Sequence, residues 1–123
     1  MEFPKLKLHA FVQWSGVLLE CLANHKLDAA VVNLPENGVP PSSFAGERID
    51  TKPVCVAAAK TRRFSQPVTL KELSASPWVV NPTGCPTRQL LETALLQKGL
   101  PFETAVEVEG YELQFSLISE GWG

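Results

Sequence analysis

The residues best suited to chemistry follow a short apolar run, Trp78–Val80, which predicts a buried strand. Turn-forming residues occupy positions 81–85, and Pro86 then stands where helices favour a first-turn proline. Leucines at helical spacing continue from there, and Gly99 predicts the helix end. A strand, a tight loop and a helix N-terminus present backbone N–H groups backed by the positive end of the helix dipole. The stretch therefore predicts a binding site for a small anion, formed by these backbone N–H groups.

Several side chains of this loop could contact a small ligand. Two threonines offer hydroxyl groups, and a glycine allows close approach of the backbone. The plain alternative is a strand-to-helix connection with no ligand. Arg88 could face the anion or lie along the helix surface, and the sequence favours neither. The candidate positions are Asn81, Thr83, Gly84, Cys85 and Thr87.

Cys85 also permits a thiol interpretation, because a helix N-terminus lowers the pKa of a thiol. A nucleophile needs a positioned base, however, and neither His9 nor His25 is near in sequence. Cys21 and Cys55 lie in apolar patterns typical of a core. Three cysteines without motif spacing fit free thiols in a reducing cytoplasm, and no metal or cofactor is expected.

Composition excludes several function classes. The 123 residues are 45% hydrophobic and 20% charged with net charge −2, which indicates a globular protein. The densest basic cluster is only Lys60, Arg62 and Arg63, so no DNA-binding surface is expected within the chain. No apolar run approaches the length needed to cross a bilayer, and the first residues lack a signal-peptide layout.

The first part of the chain predicts a βαβ unit. Alternation over Lys5–Val12 indicates a strand, Ser15 is the expected cap of a helix running to about Asn24, and 27–32 predicts a second strand. Such a unit would make this part of the sheet parallel. Ligands bind at the carboxyl ends of strands in open α/β sheets, so Asn33 and Pro35 are further candidates, with a proline-stiffened loop as the alternative.

The second part predicts shorter elements. A long, mostly extended stretch covers Glu47–Lys60. Thr69 and Glu72 match a capping box that opens a helix of a turn or two. A strand is expected over Thr104–Val108, followed by a helix from Tyr111 to Glu120. Tyr111 could face a ligand, although packing is the commoner role of such an aromatic.

Six weak motifs in order resemble the effector-binding domain of LysR-type transcriptional regulators. Phe3-Pro4 looks like the entry to the family's second strand, and the stretch 47–56 like its long crossing strand. The others are similar to the family's L-D-x-A segment, the opening of its second lobe, its G-C-x-x-R loop and the end of its next helix. These lie at 22–31, 66–73, 84–88 and 119–123. Glycine is usual in the family where His25 or Lys26 stands.

The resemblance implies a two-lobed α/β architecture of the periplasmic-binding-protein type, incomplete in this chain. Residues 1–58 would be part of lobe I and 59–123 the first part of lobe II, with the DNA-binding winged helix-turn-helix absent. A small, usually acidic or aromatic, effector would lie between the lobes and touch the 81–87 loop.

The resemblance further implies a homodimer formed through the helices at 15–24 and 87–98. It implies a cytoplasmic regulator without a membrane partner. No enzymatic activity is expected, because the sequence shows neither a nucleophile–base pair nor paired carboxylates. The alternative functions are, first, an extracytoplasmic solute-binding protein of the same architecture and, second, a thiol enzyme that uses Cys85. Exposed apolar surface covered by self-association is also expected.

Overall fold

The computed structural model describes residues 2–123 as two compact units. The first unit ends at Val32, and the second covers Asn33–Gly123. Within the described part of the chain, no helix is long and apolar enough to cross a membrane. The lobe boundary expected after residue 58 stays a prediction.

The first unit is built on helix α1, Ser15–Ala23, which confirms the predicted helix. Ser15 is not its cap, because the first helical hydrogen bond runs from the Leu18 N–H to the Trp14 carbonyl, 2.9 Å, so the helix starts one residue earlier than predicted. The helix ends in a Schellman motif, in which the N–H groups of His25 and Lys26 reach back to the last carbonyls. His25 takes the left-handed conformation there, with φ of 56°.

The strands predicted at 5–12 and 27–32 are wrong, so the βαβ unit around α1 does not form in the described residues. A strand exists only when a neighbour pairs with its N–H and C=O groups, and neither segment has such a ladder. The apolar side chains of the first segment bury nothing either, since Leu8 and Val12 are 80% and 97% exposed. The 47–60 stretch is also without a strand partner and mostly exposed.

The second unit holds a two-stranded parallel sheet. Strand β1, Trp78–Val80, pairs with β2, Thr104–Glu107, and a register irregularity falls between Trp78 and Val79. Helix α3, Pro86–Gln97, connects the two strands. The sequence predicted all three elements, and the parallel pairing makes this region a βαβ unit. The α/β class is thereby confirmed in its coarse form.

The ends of α3 are set by local residues. Pro86 occupies its first turn, as predicted. At the other end Gly99, with φ of 62°, donates to the Leu96 carbonyl, and Leu100 donates to the Leu95 carbonyl. This Schellman motif is the helix end that the sequence predicted. Leu95 has no exposed surface and is the most deeply buried residue of the small core, which also includes Val80 and Val108.

Two further helices complete the unit. Helix α2, Leu70–Leu73, begins with the Thr69 hydroxyl accepting the Glu72 N–H at 3.2 Å, which confirms the predicted cap. Helix α4, Tyr111–Ser119, follows β2 and packs against β1. Gly121, with φ of 90°, forms the predicted stop of α4.

Candidate functional site

The loop between β1 and α3 is a hydrogen-bonded β-turn. The Cys85 N–H donates to the Pro82 carbonyl at 3.2 Å. Gly84, the third residue of the turn, has φ of 93°, which is the type II geometry that favours glycine at this position. The turn brings the chain directly into α3, because the Gln89 N–H already donates to the Cys85 carbonyl at 3.0 Å.

Several backbone N–H groups of the turn and of the start of α3 have no backbone acceptor. Among the described residues, no backbone hydrogen bond uses the N–H of Thr83, Gly84, Thr87 or Arg88. Thr83 and Gly84 are exposed, and a Cβ on Gly84 would meet no atom within 4 Å. Neither residue is packed under another element, so these N–H groups are free to meet a small molecule.

Arg88 is the most heavily bonded side chain of the site. It donates from Nε to Glu92 Oε1 at 2.7 Å, from Nη1 to the Asn81 carbonyl at 3.0 Å, and from Nη1 to the Glu107 carboxylate. Its guanidinium lies 5.6 Å from the centroid of the Phe102 ring, within cation–π range. The hydrogen bonds to Glu92 and then Glu107 raise the pKa of Arg88 above its usual value, so it stays protonated.

Asn81 is held from two sides. While its carbonyl accepts from Arg88, its Oδ1 accepts from Gln114 Nε2 at 2.8 Å. The same Gln114 nitrogen lies 3.2 Å from the Val108 carbonyl, just after β2. Asn81 thus connects the end of β1 with α3 and α4, and two of its four polar atoms, the carbonyl and Oδ1, are occupied.

The two βα connections lie at the same edge of the sheet. Because β1 and β2 are parallel, their carboxyl ends meet at one edge, from which α3 and α4 both start. Open α/β sheets bind ligands at this edge. Tyr111, the first residue of α4, is 72% exposed and is not a packing aromatic. Thr87 is partly buried in the first turn of α3.

Asn33 and Pro35 belong to a separate loop. Both are exposed, and the Pro35 carbonyl accepts the Gly38 N–H at 2.7 Å. Arg48 donates to the Glu36 carbonyl at 2.6 Å, so this loop folds on residues further along the same segment. A ligand role for Asn33 and Pro35 stays a prediction.

Cys85 lies at the N-cap of α3 and is partly buried, without a side-chain capping bond. Both histidines of the chain belong to the first unit. Cys21 is partly buried but Cys55 is exposed, so the core position predicted for Cys55 is wrong. Its stretch has no partner strand to cover it. Within residues 2–123 no three His, Cys, Asp or Glu side chains are grouped to hold a metal ion.

The charged residues of the 78–123 region are mainly negative. From Trp78 to the end of the chain stand six glutamates but only two basic residues, Arg88 and Lys98. Lys98 is at the opposite end of α3, and Arg88 is already paired. An anion at the loop would therefore depend on backbone N–H groups and hydroxyls rather than on a free cationic side chain.

Neither of the two cavities described in the structure is lined by this loop. One of them, a partly open cavity beside Trp78 and Val79, has a volume of about 50 Å³ and is lined mostly by apolar groups such as Phe64, Leu73 and Ile118. Small-molecule sites usually measure about 300–1,000 Å³. The exposed residues of the loop, Thr83 and Gly84, thus lie on the surface and outside both described cavities.

The sequence did not point to Gln114 or Glu107 as parts of this site. The available signals were a glutamine inside an otherwise apolar helical run and a glutamate at the end of a strand. Both residues are more than fifteen positions from their partners, Asn81 and Arg88, so only the fold brings each pair together.

The family model described as LysR substrate binding domain matches residues 1–123. The "uncharacterized HTH-type transcriptional regulator YeiE" of Escherichia coli K12 is 24% identical over 122 residues, which cover 99% of this chain and 41% of that protein. The "HTH-type transcriptional regulator GbpR" of Azospirillum brasilense is 27% identical over 103 residues, 81% of this chain and 30% of that protein. The chain thus spans at most about two fifths of the length of these curated relatives. No solved structure matches significantly.

Proposed function

Because the chain belongs to the family of LysR substrate-binding domains, we propose that it is the effector-sensing part of a transcriptional regulator rather than an enzyme. The curated relatives are HTH-type transcriptional regulators, which supports the regulatory role. The regulator would act in the cytoplasm and reach DNA through a helix-turn-helix domain outside these residues. Two lobes of the periplasmic-binding-protein type would enclose the effector, and residues 78–123 would belong to the second lobe.

The proposed effector site is the surface formed by Asn81, Thr83, Gly84, Cys85, Thr87 and Tyr111, with Asn33 and Pro35 as further contacts. The observation that carries this proposal is that Thr83 and Gly84, beside the N-terminus of α3, are exposed residues whose N–H groups have no backbone acceptor. Backbone N–H groups at a helix N-terminus favour a carboxylate or another small oxyanion.

A small acid is the proposed effector. The six glutamates between Trp78 and Gly123 make long-range attraction of an anion unfavourable. The acid would therefore be recognised at short range, through hydrogen bonds to the turn. Its binding would stabilise one angle between the lobes and so change the position of the DNA-binding domains.

A thermal-shift comparison tests this proposal. The chain is heated at constant ionic strength with sulfate, citrate or benzoate, and with glucose as the neutral probe. A ligand that binds only the folded state stabilises it by RT ln(1 + [L]/Kd), so the melting temperature rises with the logarithm of the ligand concentration once that concentration exceeds Kd. We expect an acid to do so, and Thr83→Val to weaken its effect. Thr61→Val is the matched control, since Thr61 is an exposed loop threonine outside the site. Equal shifts in both variants would rule out a contact through the Thr83 hydroxyl. No shift with any of the acids, or a shift with glucose alone, would contradict the proposal.

We also propose self-association through α1 and α3. Each helix exposes apolar surface: Val17 on α1 is 42% exposed, and Leu90 and Leu96 on α3 are 54% and 79% exposed. Leu96→Glu should lower the mass measured by light scattering at high concentration. Val39→Glu is the control, because Val39 is equally exposed, at 80%, but lies in a loop. A monodisperse monomer before mutation would contradict this part of the proposal.

A further inference from the structure

We propose that Arg88 is a positioning residue, which fixes the turn at 82–85 in its binding shape without itself contacting the effector. The inference rests on the proposed function, because it concerns the same loop. It assigns a role to the only arginine of the 78–123 region, a residue that an anion-binding site would otherwise use as its cation.

The contacts of Arg88 leave little of it for a ligand. Its side chain is only 12% exposed. Two of its three guanidinium nitrogens donate to Glu92, the Asn81 carbonyl and Glu107, and the Phe102 ring lies 5.6 Å from the guanidinium carbon. An effector carboxylate that took Nε or Nη1 would have to displace an acceptor that is already in place.

These contacts join three elements at the edge of the sheet. Asn81 is the first residue after β1, Glu107 is the last residue of β2, and Glu92 lies one turn further along α3. The carbonyl of Asn81 is fixed relative to the start of α3 by one bond from Arg88 Nη1. The four residues between Asn81 and Pro86 must then close the gap, and the type II turn with Gly84 at positive φ does so.

The local charge supports the same conclusion. Arg88 brings one positive charge, while Glu92 and Glu107 bring two negative charges, so the cluster is net negative. Arg88 is thus compensated and offers no net attraction for an anion. What it contributes is geometry: a planar fork whose Nε and Nη1 reach different acceptors, which the single ammonium of lysine cannot reproduce.

Hydrogen exchange at the Cys85 amide tests this role, because that N–H closes the turn by donating to the Pro82 carbonyl. The 123-residue chain is compared with Arg88→Gln, Arg88→Lys and the control Arg63→Gln, whose arginine is exposed. We expect Cys85 exchange to be about tenfold faster in both Arg88 variants, as for the loss of one charge-assisted hydrogen bond, and unchanged in the control. The amide of Leu95, at the centre of the core, reports global unfolding.

The lysine variant separates geometry from charge. If Arg88 acts through charge alone, Arg88→Lys restores slow exchange, and the proposal is overturned. It is also overturned if Cys85 exchange does not change, or if it accelerates only in step with Leu95, since that result means general destabilisation. Local opening should depend little on urea, whereas global unfolding depends on it strongly.

A double-mutant cycle adds an independent check. Glu107→Gln should speed Cys85 exchange as Arg88→Gln does, and the two changes together should be clearly less than multiplicative, because they break the same contact. Fully multiplicative effects on the Cys85 exchange rate would show that Arg88 and Glu107 do not act through the same contact. None of these measurements uses an effector, so their failure is distinct from a failure to find acid binding at Thr83.

Discussion

Replacing Gly84 with alanine should destabilise the second unit through the backbone alone. Gly84 has φ of 93°, a conformation that L-residues with a Cβ disfavour. The new methyl group would meet no atom within 4 Å, so no steric clash contributes. The remaining term is the conformational penalty of about 1–2 kcal/mol. Such a change lowers the ratio of folded to unfolded protein by a factor of about 5–30.

Urea denaturation followed by circular dichroism measures this penalty. Two further variants, one at the same position and one in a helix, serve as comparisons. Gly84→Asn should cost less than Gly84→Ala, because asparagine tolerates positive φ better. Gly16→Ala is the control for the same exchange inside a helix: Gly16 lies in α1 with open space around it, and the change should stabilise the chain by about 0.5–1 kcal/mol. A Gly84→Ala variant as stable as the original chain would refute the argument that the turn requires glycine.

Three other substitutions test separate parts of the structure. His25→Gly should raise the free energy of unfolding by about 1 kcal/mol in urea titrations, because His25 ends α1 with φ of 56°; a loss of stability would contradict this. Leu95→Ala should lower it by about 2–5 kcal/mol, since the side chain is fully buried, and a near-neutral result would show that the core lies elsewhere. Bonds from the Ser65 hydroxyl and N–H hold the pKa of Glu72 below its usual value, so their stabilisation is present above the ordinary carboxyl pKa and is lost as pH falls through the lowered one. Glu72→Gln should therefore lower the melting temperature at neutral pH but not in strong acid, and an equal loss at both would contradict this.

The parts of the fold that the sequence predicted correctly are those set by local signals. Pro86 and Gly99 bound α3, and the Thr69 hydroxyl caps α2, because each acts on neighbouring backbone groups. The strands at 5–12 and 27–32 failed for the opposite reason. Alternation of apolar and polar residues shows that a segment could form a strand. A strand also needs a hydrogen-bonded neighbour, and the sequence of the segment alone does not determine whether one pairs with it.

The candidate site divides in the same way. The turn at 82–85 and the exposed N–H groups of Thr83 and Gly84 follow from proline and glycine placement, which is visible in the sequence. The role of Arg88 is not, because its partner Glu107 is nineteen residues away and becomes a neighbour only when β1 and β2 pair. For this reason the sequence left open whether Arg88 faces an anion or the helix surface.

The most direct test of the proposed effector site is a map of backbone amide chemical shifts during titration with the acid that raises the melting temperature. The amides of Thr83 and Gly84 should shift and saturate together, at the same concentration as the thermal effect. The amide of Gly99, at the far end of α3, should stay in place. Saturable shifts elsewhere in the chain, with Thr83 and Gly84 unmoved, would contradict an effector site at this loop.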